Sequence, residues 1–165
     1  MSRIEKLVLC GVLTALAAIF SYVEVLIPFH FGVPGIKLGL ANLVIVFALY
    51  LIQALWAFFI SITRVMIVSA LFANLSMAMY SLAGALLSLA GMALLKRAGC
   101  FSLVGVSTAG GVLHNIGQLT VAVLAVDTIG LLAYLPVLIA AGTATGFLIG
   151  IIAAKTIPKL PKLRS

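Results

Sequence analysis

From Leu38 to Phe72 the chain is apolar almost without interruption, and that run limits the fold more than any motif does. As one helix it would be roughly 50 Å long, well beyond a hydrocarbon core of about 30 Å. It must turn back on itself. Ile52-Gln53-Ala54 is the place, which divides the run into helices over 36–51 and 55–72. Further apolar segments predict helices over 7–27, 77–95, 103–126 and 130–154, followed by a basic tail over 155–165 with Pro158 and Pro161. The predicted fold is all-α: a polytopic membrane bundle of six transmembrane helices in a single domain, residues 1–165.

Composition supports the bilayer as solvent. The chain is 65% hydrophobic and 8% charged, whereas soluble domains are about half apolar and a quarter charged. The first apolar segment exceeds a signal-peptide core, lacks an Ala-x-Ala exit and leads into more membrane helices, so it is retained as a span. The formal net charge of +7 does not make a nucleic-acid face, because the cations divide between the two termini and one loop. They read as topology signals. With six helices and both termini cytoplasmic, Arg3, Lys6, Lys96, Arg97 and the tail cations all fall inside. Lys37 and Asp127 fall outside, at helix ends. Cys10 and Cys100 are far apart in sequence and support neither a disulfide nor a metal site.

Small residues recur at helical spacing: Gly142, Gly146 and Gly150; Ser81, Gly84, Ser88 and Gly91; Gly11 and Ala15. In lipid such stripes let helix backbones approach closely. The first two sets read as packing within the bundle. Gly11 and Ala15 serve either that purpose or the docking of a partner's helices.

Polar groups inside the spans need partners that lipid does not supply. Arg64 is the sharpest case, since a charge at the bilayer centre costs at least about 2.5 kcal/mol on insertion scales and normally turns toward a partner or a cavity. Two readings stand: an ion pair with Glu24, or contact with an anionic ligand group such as phosphate or carboxylate. His114, Asn115 and Gln118 share a turn and follow Gly110-Gly111, which predicts a polar face lining a cavity. Lys37, Asn42, Glu24 and Asn74 map to the outer third of the bilayer, with Arg64 and His114 near its middle. Together they outline a funnel from the outer surface, with Phe29, His30 and Phe31 over its mouth. No second His or carboxylate stands at ligand spacing, so no metal is expected. The chain has neither an aspartate cluster for Mg²⁺-diphosphate, nor a nucleotide-binding loop, nor a nucleophile–base pair. It is expected to need no cofactor and to catalyse nothing by itself.

Ile27-Pro28, the run Pro34-Gly35-Ile36-Lys37-Leu38-Gly39-Leu40-Ala41-Asn42, Arg64, Ser88-Leu89-Ala90-Gly91, Gly105-Val106-Ser107 and His114-Asn115-Ile116-Gly117-Gln118 together resemble the bacterial family called heptaprenyl diphosphate synthase component I, also called the Gx transporter family. The resemblance covers nearly the whole chain. That family is in turn similar to the substrate-binding S components of energy-coupling-factor vitamin transporters. The similarity implies six helices, both termini inside, and an outward pocket capped by the loop after the first helix. It implies that a small-residue motif on the first helix meets a transmembrane coupling protein served by ATPase subunits; Gly11-x-x-x-Ala15 stands where S components carry an alanine pair. Two functions are expected on this basis. One is capture of a small polar or anionic vitamin-like or quinone-precursor metabolite at Glu24, His30, Lys37, Asn42, Arg64, Asn74, His114, Asn115 and Gln118. The other, implied by the family's name, is a non-catalytic membrane partner of a prenyl synthase subunit in menaquinone or isoprenoid synthesis.

Overall fold

The computed structural model describes residues 2–26, 39–72 and 75–160. Among these every regular element is helical: α1 (Arg3–Leu26), α2 (Leu40–Leu51), α3 (Ala54–Phe72), α4 (Leu75–Ala98), α5 (Leu103–Val126) and α6 (Leu135–Thr156), with 3-10 turns at Ile129–Tyr134 and Ile157–Lys159. Five of these segments are long and apolar enough to cross a membrane, and α2 is a shorter apolar helix. The chain is a multi-pass helical membrane protein.

The tight α2–α3 turn stands where the length of the apolar run requires it. Several helix boundaries differ from expectation, each for a local reason. The first helix begins at Arg3 rather than residue 7, because Ser2 and Glu5 form a reciprocal capping box: Glu5 N–H donates to Ser2 Oγ at 3.2 Å and Ser2 N–H to Glu5 Oε2 at 2.9 Å. The second begins at Leu40 rather than residue 36, because Gly39 has φ +73, a left-handed conformation outside any α-helix. The fourth runs from Leu75 past Lys96 to Ala98 and stops at Gly99, whose φ is +71. The last α-helix starts at Leu135 rather than residue 130, since Pro136 belongs in a first turn and cannot sit in a helix interior. It runs to Thr156, into the segment expected to be tail.

Helices α3, α4, α5, α6 and α2 pack in that cyclic order, and α1 lies across α2 and α3. The apolar core surrounds α2, where Val44, Ile45, Val46, Ala48, Leu49 and Leu51 meet Leu13 and Ala17 of α1, Ile60 of α3, Met92 of α4, Val106 of α5 and Ile149 and Ala153 of α6. Lys96 at the end of α4 reaches the end of α2, and the Ile157–Lys159 turn packs beside it. Arg3, Lys6, Lys96, Arg97, Lys155 and Lys159 therefore gather at one end of the bundle.

Glycine sets the closest helix approaches. A Cβ on Gly142 would lie 2.7 Å from Gly111 O, one on Gly146 would lie 2.6 Å from Ser107 O, and one on Gly150 would lie 2.8 Å from Val104 Cα. The four-residue stripe of α6 is thus its seam with α5. Gly84 of α4 and Gly117 of α5 make the matching seam on the other side, a Cβ on Gly117 lying 2.8 Å from Ala83 O. Both stripes expected to pack internally do so. Gly11 differs, because a Cβ there would meet nothing within 4 Å. Gly146→Ala is accordingly expected to lower stability by about 1–3 kcal/mol through overpacking, while Gly11→Ala is neutral or gains up to about 1 kcal/mol of helix propensity. Midpoints of thermal unfolding in detergent check the contrast.

Candidate functional site

The site is built around the first turn of α2. At 1.5 Å per residue this helix is roughly 18 Å long, against a hydrocarbon core of about 30 Å. Both Leu40 on α2 and Arg64 on α3 lie about 15 Å from the turn that joins the two helices, so Arg64 stands level with the start of α2. The N-terminus of α2 therefore opens toward the middle of the bundle. Its first N–H groups and the positive end of its dipole fall at that level.

Glu24 supplies the cap. Gly39, the residue at the capping position, has no side chain to offer, and Leu40 N–H instead donates to Glu24 Oε1 at 2.6 Å. The inward face of α1 delivers this group through the series Leu13, Ala17, Ser21 and Glu24, spaced at three and four residues, with Ala17 fully buried. The Glu24 carboxylate also attracts the Arg64 guanidinium. Arg64 is 6% exposed and donates from Nη1 to Ser21 Oγ at 3.1 Å. Its Nε has no hydrogen-bond partner, nor does Ser61 Oγ, one turn back on the same face of α3 and 1% exposed. Glu24, Arg64 and Asn42, which is half-buried in the first turn of α2, are thus brought to one level across α1, α2 and α3.

Ser21 is a residue that sequence reasoning missed. Its three-residue spacing from Glu24 was the available signal. The other expected rim residues, His30, Lys37 and Asn74, lie outside the described residues, as does the loop 28–35.

A second polar group belongs to the α4–α5–α6 trio. His114 lies about 16 Å from the start of α5 and Ser88 about 15 Å from the end of α4, so both stand near the level of Arg64. His114, Asn115 and Gln118 are all buried. They sit in the helix seams. Gly84 makes room for His114 and Gln118, since a Cβ there would lie 3.1 Å from His114 Cε1 and 2.8 Å from Gln118 Cγ. Asn115 Nδ2 donates to Leu138 O of α6 at 2.8 Å, and Ser107 Oγ donates to Gly146 O at 2.8 Å. Asn115 therefore ties α5 to α6. Ser88 Oγ is buried with no partner.

Gly11 and Ala15, the candidate docking pair, are both exposed on α1, the helix outside the ring. Among the described residues, no group of three or more His, Cys, Asp or Glu side chains is placed to hold a metal ion.

A family model described as heptaprenyl diphosphate synthase component I matches residues 13–156. The chain belongs to that family, as its sequence motifs imply. No curated protein and no solved structure matches it.

The geometry around Glu24 makes a graded stability prediction. Glu24→Ala leaves both Leu40 N–H and the Arg64 charge buried without compensation, a loss of about 3–5 kcal/mol. Glu24→Gln keeps an acceptor for Leu40 and is expected to cost roughly half as much or less. Chemical or thermal unfolding of the two variants beside the parent measures the difference; equal losses would deny Glu24 its capping role.

Proposed function

We propose that this family member is the substrate-capturing subunit of an energy-coupling-factor-type importer in a bacterial plasma membrane, with both termini cytoplasmic. On this reading a small polar or anionic, vitamin-like or quinone-precursor metabolite enters from the outer face and is held at the level of Arg64. The observation that carries the reading is the buried Arg64 guanidinium with its Nε unpartnered beside an unpartnered Ser61 Oγ. A charged donor left open in the interior of a membrane bundle is costly unless something periodically fills it. The placement of α2 gives further support. Transporters use half-length helices with N-termini near the bilayer midplane to direct the positive dipole end at substrate, and α2 is short and begins at that level.

On this reading the other ligand contacts are Glu24, Asn42, His114, Asn115 and Gln118, with His30, Lys37 and Asn74. Glu24 and Asn42 stand at the start of α2, with His114 and Gln118 across the bundle on α5. His30, Lys37 and Asn74 would form the outer rim, with Lys37 at the mouth above Arg64. The exposed pair Gly11 and Ala15 is assigned to docking of a coupling membrane protein, which in turn engages ATPase subunits. The open space beside Gly11 suits close approach of another helix. No chemical step is assigned to the chain.

The family's description supports a second reading, a membrane partner of a separate prenyl diphosphate synthase subunit with catalysis in that subunit. It predicts co-purification with an aspartate-rich soluble synthase and an altered quinone side chain when the gene is deleted. An unchanged quinone pool would remove it.

Native mass spectrometry of the protein purified gently from its own membrane is expected to show a bound metabolite. Arg64→Met should abolish that adduct while the protein still inserts and elutes as a single species. An empty wild-type protein across a metabolite library, with uptake unchanged in a deletion strain, would overturn the capture reading. Loss of folding in Arg64→Met would return Arg64 to a purely structural pairing with Glu24.

A further inference from the structure

If Arg64 meets an oxygen of the ligand, as the substrate-capture reading on which this inference rests requires, the donors and charges around it limit which kind. Nη1 is already engaged by Ser21 Oγ at 3.1 Å, which leaves the guanidinium edge that carries Nε. Ser61 lies one turn away on the same buried face with its Oγ unpartnered. The open groups are therefore an arginine edge and a hydroxyl, side by side, and both can donate.

We propose that the ligand presents one planar carboxylate to the Nε edge of Arg64 and to Ser61 Oγ, and that phosphate and diphosphate groups are rejected there. An arginine edge offers N–H groups in a fixed plane that match the two oxygens of a carboxylate. A carboxamide can set its oxygen on Nε–H and its NH₂ on Ser61 Oγ, which also accepts, but it carries no charge, and a charge-assisted bond to arginine is roughly twice as strong as a neutral one.

Charge excludes the phosphates. Arg64 and the N-terminus of α2 together supply about one and a half positive charges, the helix end contributing roughly half a unit. Glu24 already draws on both, through its hydrogen bond to Leu40 N–H and its attraction to Arg64. About half a unit of positive charge remains. A single added negative charge leaves about half a unit uncompensated, whereas two or three leave about one and a half to two and a half in a low-dielectric interior, where desolvation is not recovered. Among the described residues the other cations, Arg3, Lys6, Lys96, Arg97, Lys155 and Lys159, stand at the far end of the α2 core, and Lys37 on the capture reading belongs to the outer rim, above the level of Arg64. A prenyl diphosphate headgroup is thereby a poor match for this site.

The test uses matched probes on one scaffold, each binding to the purified full-length protein in detergent being followed by ligand-observed NMR. Benzoate, benzamide and phenylphosphonate form one set, and hexanoate, hexanamide and hexylphosphonate another. In each set the carboxylate is expected to bind best, by about tenfold over the other two. Arg64→Lys, which keeps the charge and loses the planar edge, should reduce the preference for carboxylate over carboxamide several-fold. Glu24→Gln, which removes the competing negative charge and keeps the acceptor for Leu40, should raise phosphonate affinity several-fold. Equal or tighter binding of a phosphonate or carboxamide by the wild-type protein would overturn the carboxylate assignment and leave the capture reading standing, as would full carboxylate affinity in Arg64→Lys. Absence of binding by every probe to the wild type would overturn the carboxylate assignment, while the capture reading is decided by the mass-spectrometry and uptake experiment.

Discussion

The structure depends on satisfying the two ends of α2, one at mid-bundle and one at the cationic end. A helix of roughly 18 Å cannot bring both its termini to water across a core of about 30 Å, and every backbone group left bare in lipid costs several kcal/mol. Two charged side chains from other helices meet this demand. Glu24 of α1 accepts from Leu40 N–H at the start, and Lys96 of α4 donates to Leu49 O at 2.6 Å near the end. Their signs suit the dipole, carboxylate at the positive end and ammonium at the negative end. Lys96 Nζ also lies 4.7 Å from the centroid of the Tyr50 ring, which fixes it further over the last turn. With a charged side chain bonded at each end, α2 can be apolar on nearly all sides and serve as the centre against which the other helices pack.

The rest of the polar inventory falls into two classes on this frame. In the α4–α5–α6 trio, glycines bring the backbones together, and side chains such as Asn115 and Ser107 spend their hydrogen bonds across the seams. That half is built for rigidity. In the α1–α2–α3 trio the polar groups converge on one level and leave Arg64 Nε and Ser61 Oγ over. Ser88 Oγ of α4 is likewise left over, so unspent hydroxyls occur in both halves, and what sets the α1–α2–α3 side apart is a charged donor, Arg64 Nε.

Much of this was legible in the sequence, for identifiable reasons. The helix count and the hairpin at Ile52-Gln53-Ala54 follow from length alone, because lipid permits no long unpaired backbone. The α6 glycine stripe was legible because a four-residue repeat of the smallest residue has few uses in a membrane helix other than close packing. Arg64 and Glu24 stood out because charges are rare there. The start of α2 was not legible, since the left-handed turn at Gly39 leaves no mark in an apolar pattern and Pro34-Gly35 points to an earlier start. The roles of Glu24 and Lys96 as caps were hidden for a different cause. Each acts on a backbone group far away in the chain, Leu40 and Leu49, and backbone groups have no sequence signature. Ser21 escaped because a lone serine on a helix commonly bonds its own preceding turn.

The position of Glu24 links occupancy of the site to the packing of the helices. It stands in the last turn of α1, caps α2 and attracts Arg64, so one carboxylate balances a helix terminus and a guanidinium together. A negatively charged ligand at Arg64 would compete with Glu24 for the same positive charge and would weaken the attraction that draws α1 toward α3. The cap on Leu40 would then take a larger share of the Glu24 charge. On the capture reading, filling the site therefore redistributes bonding between the α1–α3 and α1–α2 contacts, and α1 is also the helix that exposes Gly11 and Ala15. Ligand binding and partner docking would meet on one helix, coupled through a single carboxylate.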